Sequence, residues 1–239
     1  MTCNAVAENV PAADATQHTA LVAGASGFVG GYLLEHLAAQ PEFTRVIAVT
    51  RRPLQSDLPR LANRIVRFEA LEESLKGTRA EVAFCALGTT LNDAGSREAF
   101  RRVDFDVVLA YARAAQAAGA QRFVLVSSIG ADPGANNFYL RVKGETEEAV
   151  AALGFAALDI MQPGLLLGMR KELRPLELAA SVVMPILNLA LHGPVEKYRA
   201  IPARVVAAAM VGTARGGGYG VQRHTHREMR KLAARGTRR

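Results

Sequence analysis

Tyr139 and Lys143 stand four residues apart in Asn137-Phe-Tyr-Leu-Arg-Val-Lys-Gly-Glu145, so on a helix they share one face. A phenol with a pKa of about 10 is a poor base at neutral pH, and an adjacent ammonium stabilises the phenolate and lowers that pKa. Upstream, Ser127 and Ser128 close an apolar run, where a hydroxyl could orient a carbonyl or alcohol oxygen. A proton donor or acceptor, a charged neighbour and an oxygen ligand are the set that hydride transfer needs beside a nicotinamide. A Tyr-x-x-x-Lys pair alone also arises as a helix-packing detail, so the rest of the chain has to supply a seat for the nucleotide.

That seat is offered by Leu21-Val-Ala-Gly-Ala-Ser-Gly-Phe-Val-Gly-Gly31, an apolar run breaking into a glycine turn and continuing as a helix. Gly24 can make the tight turn out of a strand, Gly27 leaves room for a phosphate, and Gly30 lets the helix pack closely on the sheet. Gly24, Ser26, Gly27, Phe28, Val29 and Gly30 would together hold a diphosphate against the backbone and the helix's positive end. At the end of the next strand, Ala48-Val-Thr-Arg-Arg-Pro places Arg51, and secondarily Arg52, where an acid would bind the free hydroxyls of an NAD ribose. Arginine there suits a 2′-phosphate, hence NADP; the alternative is a pair of surface arginines at a strand end. In Phe84-Cys-Ala-Leu-Gly-Thr-Thr90, small residues around Leu87, Gly88 and Thr89 let the backbone pass close to a cofactor, although a plain strand exit has the same composition. Cys85 reads as a small buried hydrophobe rather than a nucleophile, with no histidine near it in sequence.

These residues need elements to hold them. Strands are expected at Thr19–Ala25, Arg45–Thr50, Ile65–Phe68, Val82–Leu87, Arg122–Ser127 and Ala156–Met161. Helices are expected at Phe28–Ala39, Ser96–Ala118 and Phe138–Leu153. Near-continuous apolar strands alternating with amphipathic helices indicate an α/β, doubly wound parallel sheet, Rossmann-like, with ligands at the carboxyl ends of its strands. After Pro163 the alternation stops. Leu176–Leu191 reads as a buried helix, Pro202–Met210 as another, and Thr225 could cap a last one running to Ala234. The organisation expected is a flexible leader over residues 1–18 and a single domain over 19–239. Within that domain, residues 164–222 form a small helical extension on the substrate side, and 223–239 a basic, partly frayed tail.

Composition narrows the partners. The 239 residues are 50% hydrophobic with a net charge of +7, a globular profile. Much of the charge excess lies in residues 223–239, which carry seven Arg or Lys and one acid. No aromatic-rich basic strand or helix-turn-helix pattern accompanies it, so nucleic acid is not expected as a partner. No apolar stretch suits a bilayer span, so no membrane is expected either. Two distant cysteines, Cys3 and Cys85, and the lack of an export signal suggest a reducing, cytoplasmic setting. The histidines are isolated apart from His224 and His226, and no ligand set for a metal is completed.

Taken together, the glycine turn, the serine pair and Tyr139-x-x-x-Lys143 resemble the short-chain dehydrogenase/reductase superfamily in its atypical, extended-like branch. Phe84-Cys-Ala-Leu-Gly-Thr-Thr, Val103-Asp104, Ser127-Ser-Ile-Gly-Ala-Asp132, Asn137 to Glu145 and Pro163-Gly-Leu-Leu166 resemble more narrowly the Tat-interacting oxidoreductase-like group and its bacterial relatives. The likeness spans about residues 19–212. It implies an NADPH-binding domain in which Tyr139 is the general acid/base and Lys143 tunes it and contacts the nicotinamide ribose. Ser128, with Ser127 as fallback, would polarise the substrate oxygen. Pro163 and Leu165 would lie near the nicotinamide, and Glu69 near the adenine. Many members of the superfamily place an asparagine on the helix before the serine strand, where it supports a proton relay; this chain has Asp104 there.

The expected function is NADPH-dependent oxidoreduction of a small carbonyl or alcohol. An NADPH-binding sensor or scaffold with little turnover is the alternative from another class, and a nucleotide-sugar epimerase or dehydratase ranks last. The content of Leu165–Pro202 suits an apolar substrate pocket or a subunit interface equally, so a homodimer stays open.

Overall fold

The computed structural model describes residues 18–167 and 193–237. Seven strands form one parallel sheet: β1 His18–Ala23, β2 Phe43–Thr50, β3 Leu61–Ile65, β4 Val82–Cys85, β5 Arg122–Val126, β6 Ala157–Met161 and, last in the sheet, β9 Gly220–His224. Their order is β3-β2-β1-β4-β5-β6-β9, and a separate two-residue pair, β7 Leu166–Leu167 with β8 Ile201–Pro202, lies beyond the end of β6. The chain leaves β1 toward β2 on one side and returns to β4 on the other. A crevice therefore opens at the carboxyl ends of β1 and β4, the switch point where α/β sheets bind ligands.

The strands alternate cleanly because both faces of the sheet are buried. Ala20, Val22, Val46, Ala48, Phe84, Val124 and Met161 face one layer, formed by helices α1 (Phe28–Ala38), α7 (Ala203–Ala214) and α8 (His226–Gly236). Leu21, Ala23, Ile47, Val49, Cys85, Phe123 and Ile160 face the other, formed by α2 (Leu71–Ser74), α5 (Val108–Ala117) and α6 (Phe138–Ala151). The doubly wound Rossmann-like fold read from the sequence is the fold found.

Three details differ from expectation. The third strand is Leu61–Ile65, earlier than Ile65–Phe68: it is an edge strand with little buried surface, so apolar content misplaced it. The helix expected over Ser96–Ala118 is α4 (Arg97–Arg101), a π-helical turn at Arg102–Val107, and then α5. Residues 223–239 do not begin as a frayed tail, since Arg223 and His224 belong to β9 and α8 follows. A capping box of Thr225 and Glu228 starts α8, which buries His226 and Met229; its cations occupy only the outward face. Beside α1, α7 covers the same face of the sheet. The leader at residues 1–17 and the helix expected over Leu176–Leu191 lie outside the described residues.

Candidate active site

The glycine turn is built on close backbone contact. Gly24 has φ +79°, a left-handed conformation, and its carbonyl accepts a hydrogen bond from Gly27 N at 2.9 Å. A Cβ at Gly24 would stand 2.4 Å from the Ala86 carbonyl carbon, and one at Gly30 would stand 2.0 Å from Gly24 O. The β1 turn, the start of α1 and the exit of β4 are therefore pressed together with no side chain between them. Gly27 caps α1 without a side-chain hydrogen bond, and the first turn of α1 contains no acid, so the helix's positive end is left for an anion. Ser26 and Gly27 are exposed there, Phe28 is half-buried and Val29 is buried beneath.

Next along the crevice, Leu87, Gly88 and Thr89 leave β4. Thr89 N donates to Asp104 Oδ2 at 2.9 Å, and Asp104 Oδ1 lies 2.7 Å from Lys143 Nζ. Asp104 sits on the π-helical turn with no exposed surface, and Lys143 is 6% exposed. Such one-residue widenings of a helix recur at functional sites. Burial works against the Lys143 ammonium, but the Asp104 carboxylate, and then Tyr139, outweigh it, so this amine titrates above the ordinary lysine range.

Asn137 caps α6 by accepting from Leu140 N, which places Tyr139 and Lys143 in its first two turns. The Tyr139 ring packs at 5.5 Å on Phe100 of α4. The loop after β5 folds back on this helix: Asp132 N donates to Leu140 O, and Gly144 lies against the Asp132 backbone, where a Cβ would be 2.3 Å from the carbonyl carbon. At the loop's start, Ser127 N donates to Met161 O and Ile129 N to Pro163 O, so the serines lie beside the exit of β6. Ser127 Oγ is buried and has no hydrogen-bond partner among the described residues. Ser128 is half-buried, and its Oγ reaches Ile129 O only at a long 3.4 Å.

The sheet order thus aligns most of the expected residues along one edge: Arg51 and Arg52 after β2, the glycine turn after β1, Leu87–Thr89 after β4, Ser127 and Ser128 after β5, and Pro163 after β6. Arg51 is exposed and stacks 5.4 Å from the ring of Phe68, which joins the exits of β2 and β3; Arg52 is exposed beside it. Glu69 follows Phe68 on an exposed 3-10 turn at this far end, well removed in the sheet order from Lys143. Leu165 is 47% exposed, its carbonyl accepting from Ile201 N. Cys85 is buried and its thiol is pushed up to about 12 by desolvation, which suits packing and not nucleophilic chemistry. Asp104 matters more than its sequence signal suggested: an acid inside an otherwise apolar helical stripe was the only mark of a buried ion pair.

A left-handed glycine turn, a bare helix N-terminus and a row of strand exits meet at the switch point, where α/β sheets bind nucleotides, and a Cβ at Gly24 or Gly30 would collide with backbone there. The family model described as NAD(P)H-binding matches residues 24–166. The chain belongs to the NAD(P)H-binding family. The rat protein HTATIP2 is 41% identical over 158 residues, covering 64% of this chain and 65% of the rat protein. Protein fmp52, mitochondrial, from Emericella nidulans is 40% identical over 164 residues, 66% of this chain and 70% of that one. Protein fmp52-1, mitochondrial, from Aspergillus oryzae is 35% identical over 200 residues, 81% of this chain and 84% of that one.

Among solved structures, MoeE5 in complex with UDP-glucose and NAD superposes with a TM-score of 0.62 at 21% identity, covering 92% of this chain and 82% of that one. The Bordetella bronchiseptica enzyme WbmH in complex with NAD+ gives a TM-score of 0.66 at 13% identity, covering 88% and 76%. At these identities the likeness establishes the fold. The mitochondrial names of the fungal relatives overturn the cytoplasmic expectation. Cys85 is a free thiol, and a free buried thiol does not single out one compartment. No described helix is long and apolar enough to cross a membrane.

Proposed function

We propose that this chain is an NADPH-dependent oxidoreductase that transfers a hydride to or from a small carbonyl or alcohol. The observation that carries the reading is Lys143, a buried, charged amine one helical turn from Tyr139 and directly behind the Gly88–Thr89 turn. Burying an ammonium is costly, and a helix needs none for its packing; placed between a phenol and the nucleotide crevice it has a use.

The residues fit the nucleotide. Gly24, Gly27 and Gly30 leave the backbone bare, α1 offers its N-terminus to the diphosphate, and Ser127 Oγ is a buried hydroxyl awaiting a partner. Ser26, Phe28, Val29, Leu87, Gly88 and Thr89 line the path. Arg51, with Arg52 behind it, offers a guanidinium for a 2′-phosphate, while the ring of Phe68 and the exposed Glu69 flank the adenine end. Pro163 and Leu165 bound the nicotinamide end. When bound, the nicotinamide supplies the hydride acceptor or donor. Tyr139 gives a proton to the nascent alkoxide in reduction and takes it back in oxidation. Lys143 brings its positive charge beside Tyr139, and Ser128 donates a hydrogen bond to the substrate oxygen, with Ser127 deeper in the same turn.

The test is a fluorescence titration with NADPH and NADH, followed by a screen of carbonyl compounds for NADPH oxidation. NADPH is expected to bind more tightly, and Tyr139→Phe to lose turnover at least a thousandfold while keeping the wild-type melting temperature and nucleotide affinity; general acid/base groups contribute roughly 100- to 10,000-fold. Equal affinity for the two nucleotides would remove Arg51 from the reading. Tight NADPH binding without oxidation of any carbonyl class would make the chain a nucleotide sensor instead.

A further inference from the structure

We propose that Asp104 is a positioning residue that joins the Gly88–Thr89 turn to Lys143, so that the nucleotide-facing turn and the ammonium beside Tyr139 are held as one unit. Its bearing on turnover rests on the function proposed above; the joint itself is a property of the chain.

One carboxylate serves two elements. Oδ2 accepts from Thr89 N at 2.9 Å, and Oδ1 faces Lys143 Nζ at 2.7 Å. The main chain of the same residue is gripped as well, since Thr146 Oγ1 donates to Asp104 O at 2.9 Å and to Val142 O at 2.7 Å. Lys143 and Thr146 are three apart on α6, so one face of that helix holds the side chain and the carbonyl of Asp104 together. The π-helical turn at Arg102–Val107 carries the carboxylate at this point of the helix. Gly88 completes the fit, because a Cβ there would stand 3.3 Å from Asp104 Oδ1 and 3.5 Å from Lys143 Nζ. A side chain at that position would crowd the ion pair from the crevice side.

The groups acting on Lys143 are Asp104 from the π-helical turn, Tyr139 from its own helix and Cys85 from β4. The Cys85 thiol is held protonated by burial, which leaves the Asp104 carboxylate as the anion opposite the ammonium at neutral pH. An asparagine at this position could still accept from Thr89 N, but it could not offset the charge of a buried amine. The carboxylate therefore does two separable things, and substitutions can remove them one at a time.

Asp104→Asn keeps the acceptor for Thr89 and removes the charge; Asp104→Ala removes both. Protein labelled with 15N-lysine gives the titration of Lys143 Nζ, assigned by its loss in Lys143→Arg, and hydrogen exchange reports the Thr89 amide. In both variants Lys143 is expected to titrate at least one unit lower than in the wild type, a tenfold change in its protonation equilibrium. Thr89 exchange should stay within twofold of wild type in Asp104→Asn and rise at least tenfold in Asp104→Ala, which should also be the weaker binder of NADPH. An unchanged Lys143 titration in Asp104→Asn, or the same Thr89 exchange in all three proteins, overturns the proposal. Should Asp104→Asn fail to fold, the variant Asp104→Asn with Lys143→Met, which lacks both charges, is expected to melt well above it; equal instability of the two overturns the pairing. Neither the Lys143 titration, the Thr89 exchange nor the melting comparison requires a nucleotide, so a failure of the wild type to bind NADPH would sink the functional reading and leave Asp104 to be judged on its own.

Discussion

Gly30 and Gly31 are neighbours on one helix and should respond oppositely to the same substitution. A Cβ at Gly30 would meet Gly24 O at 2.0 Å, Gly24 C at 2.7 Å and Ala25 Cα at 2.9 Å, whereas one at Gly31 meets nothing within 4 Å. All three obstructing atoms are backbone. Gly24 O cannot swing aside without giving up the 2.9 Å bond from Gly27 N that forms the turn. Relief in Gly30→Ala must therefore come from lifting α1 off β1, which disturbs Val29, Leu33, Leu34 and Leu37 beneath it. Overpacking costs roughly 1–3 kcal/mol, and contact with backbone places this case at about 3. For a domain of this size that is a melting-temperature loss of roughly 6–12 °C. Gly31→Ala instead gains about 0.5–1 kcal/mol from helix propensity, or roughly 1–4 °C. Scanning calorimetry with and without saturating NADPH checks both: Gly30→Ala should also lose the stabilisation that NADPH gives the wild type, and Gly31→Ala should keep it. If Gly30→Ala melts within a degree of wild type, or Gly31→Ala falls as far as Gly30→Ala, the close approach of α1 to the turn is not what holds the cradle.

Three other outcomes follow from particular contacts. Arg51→Ala is expected to raise the Kd for NADPH about tenfold or more and to leave that for NADH within twofold, because a charge-assisted bond to the 2′-phosphate is worth roughly 1.5–3 kcal/mol; parallel losses for both nucleotides would show that Arg51 only packs on Phe68. His36 and His226 are both held below the ordinary value of 6.5, chiefly by burial, so the folded state favours their neutral forms. That contribution is complete above pH 6.5 and is lost as the pH falls through the depressed folded values, and melting midpoints measured between pH 7.5 and 5 should decline accordingly; a flat profile over that range contradicts the assignment. Arg122→Leu leaves Asp159, 3% exposed, with its hydrogen bond to His224 but without its guanidinium, and frees Gly216 O and Gly218 O, for a loss of about 3–5 kcal/mol by urea unfolding; a loss under about 1 kcal/mol would show the pair to be redundant.

The legible part of this chain is the part governed by local pattern. The apolar runs around Leu21, Ile47, Phe84, Phe123 and Ile160 announce strands buried on both faces, and the two clusters they enter have that alternation. The glycine turn and Asn137-capped helix are legible for the same reason, since φ above zero, close packing and caps each demand particular residues at fixed spacing. What stays hidden depends on partners distant in sequence. β9, Gly220–His224, is exposed at every residue but His224, so no periodicity marks it, and it belongs to the sheet because β6 is there to pair with it. The π-helical turn is invisible because the apolar residues around it continue a helical pattern, and the meaning of Asp104 appears only when Lys143 and Thr89 are brought to it.

The helix that carries the proposed chemistry is fixed along one stripe. Tyr139, Lys143 and Glu147 recur at four-residue spacing on α6, and each meets a different element. Tyr139 rests on Phe100 of α4, Lys143 on Asp104, and Glu147, 2% exposed, receives Gln162 Nε2 at 2.8 Å and Arg223 Nε at 2.9 Å. Gln162 precedes Pro163 at the exit of β6, and Arg223 lies on β9, where the next residue, His224, points to the opposite face and meets Asp159 at 2.8 Å. An apolar stripe would bury α6 equally well but would let it slide along the sheet, because hydrophobic contact has no direction. Charged and hydrogen-bonded contacts fix position along the helix axis to within a bond length. The position of Tyr139 along α6 is thus set partly by Glu147 two turns away, through Gln162 at the exit of β6 and Arg223 on the edge strand.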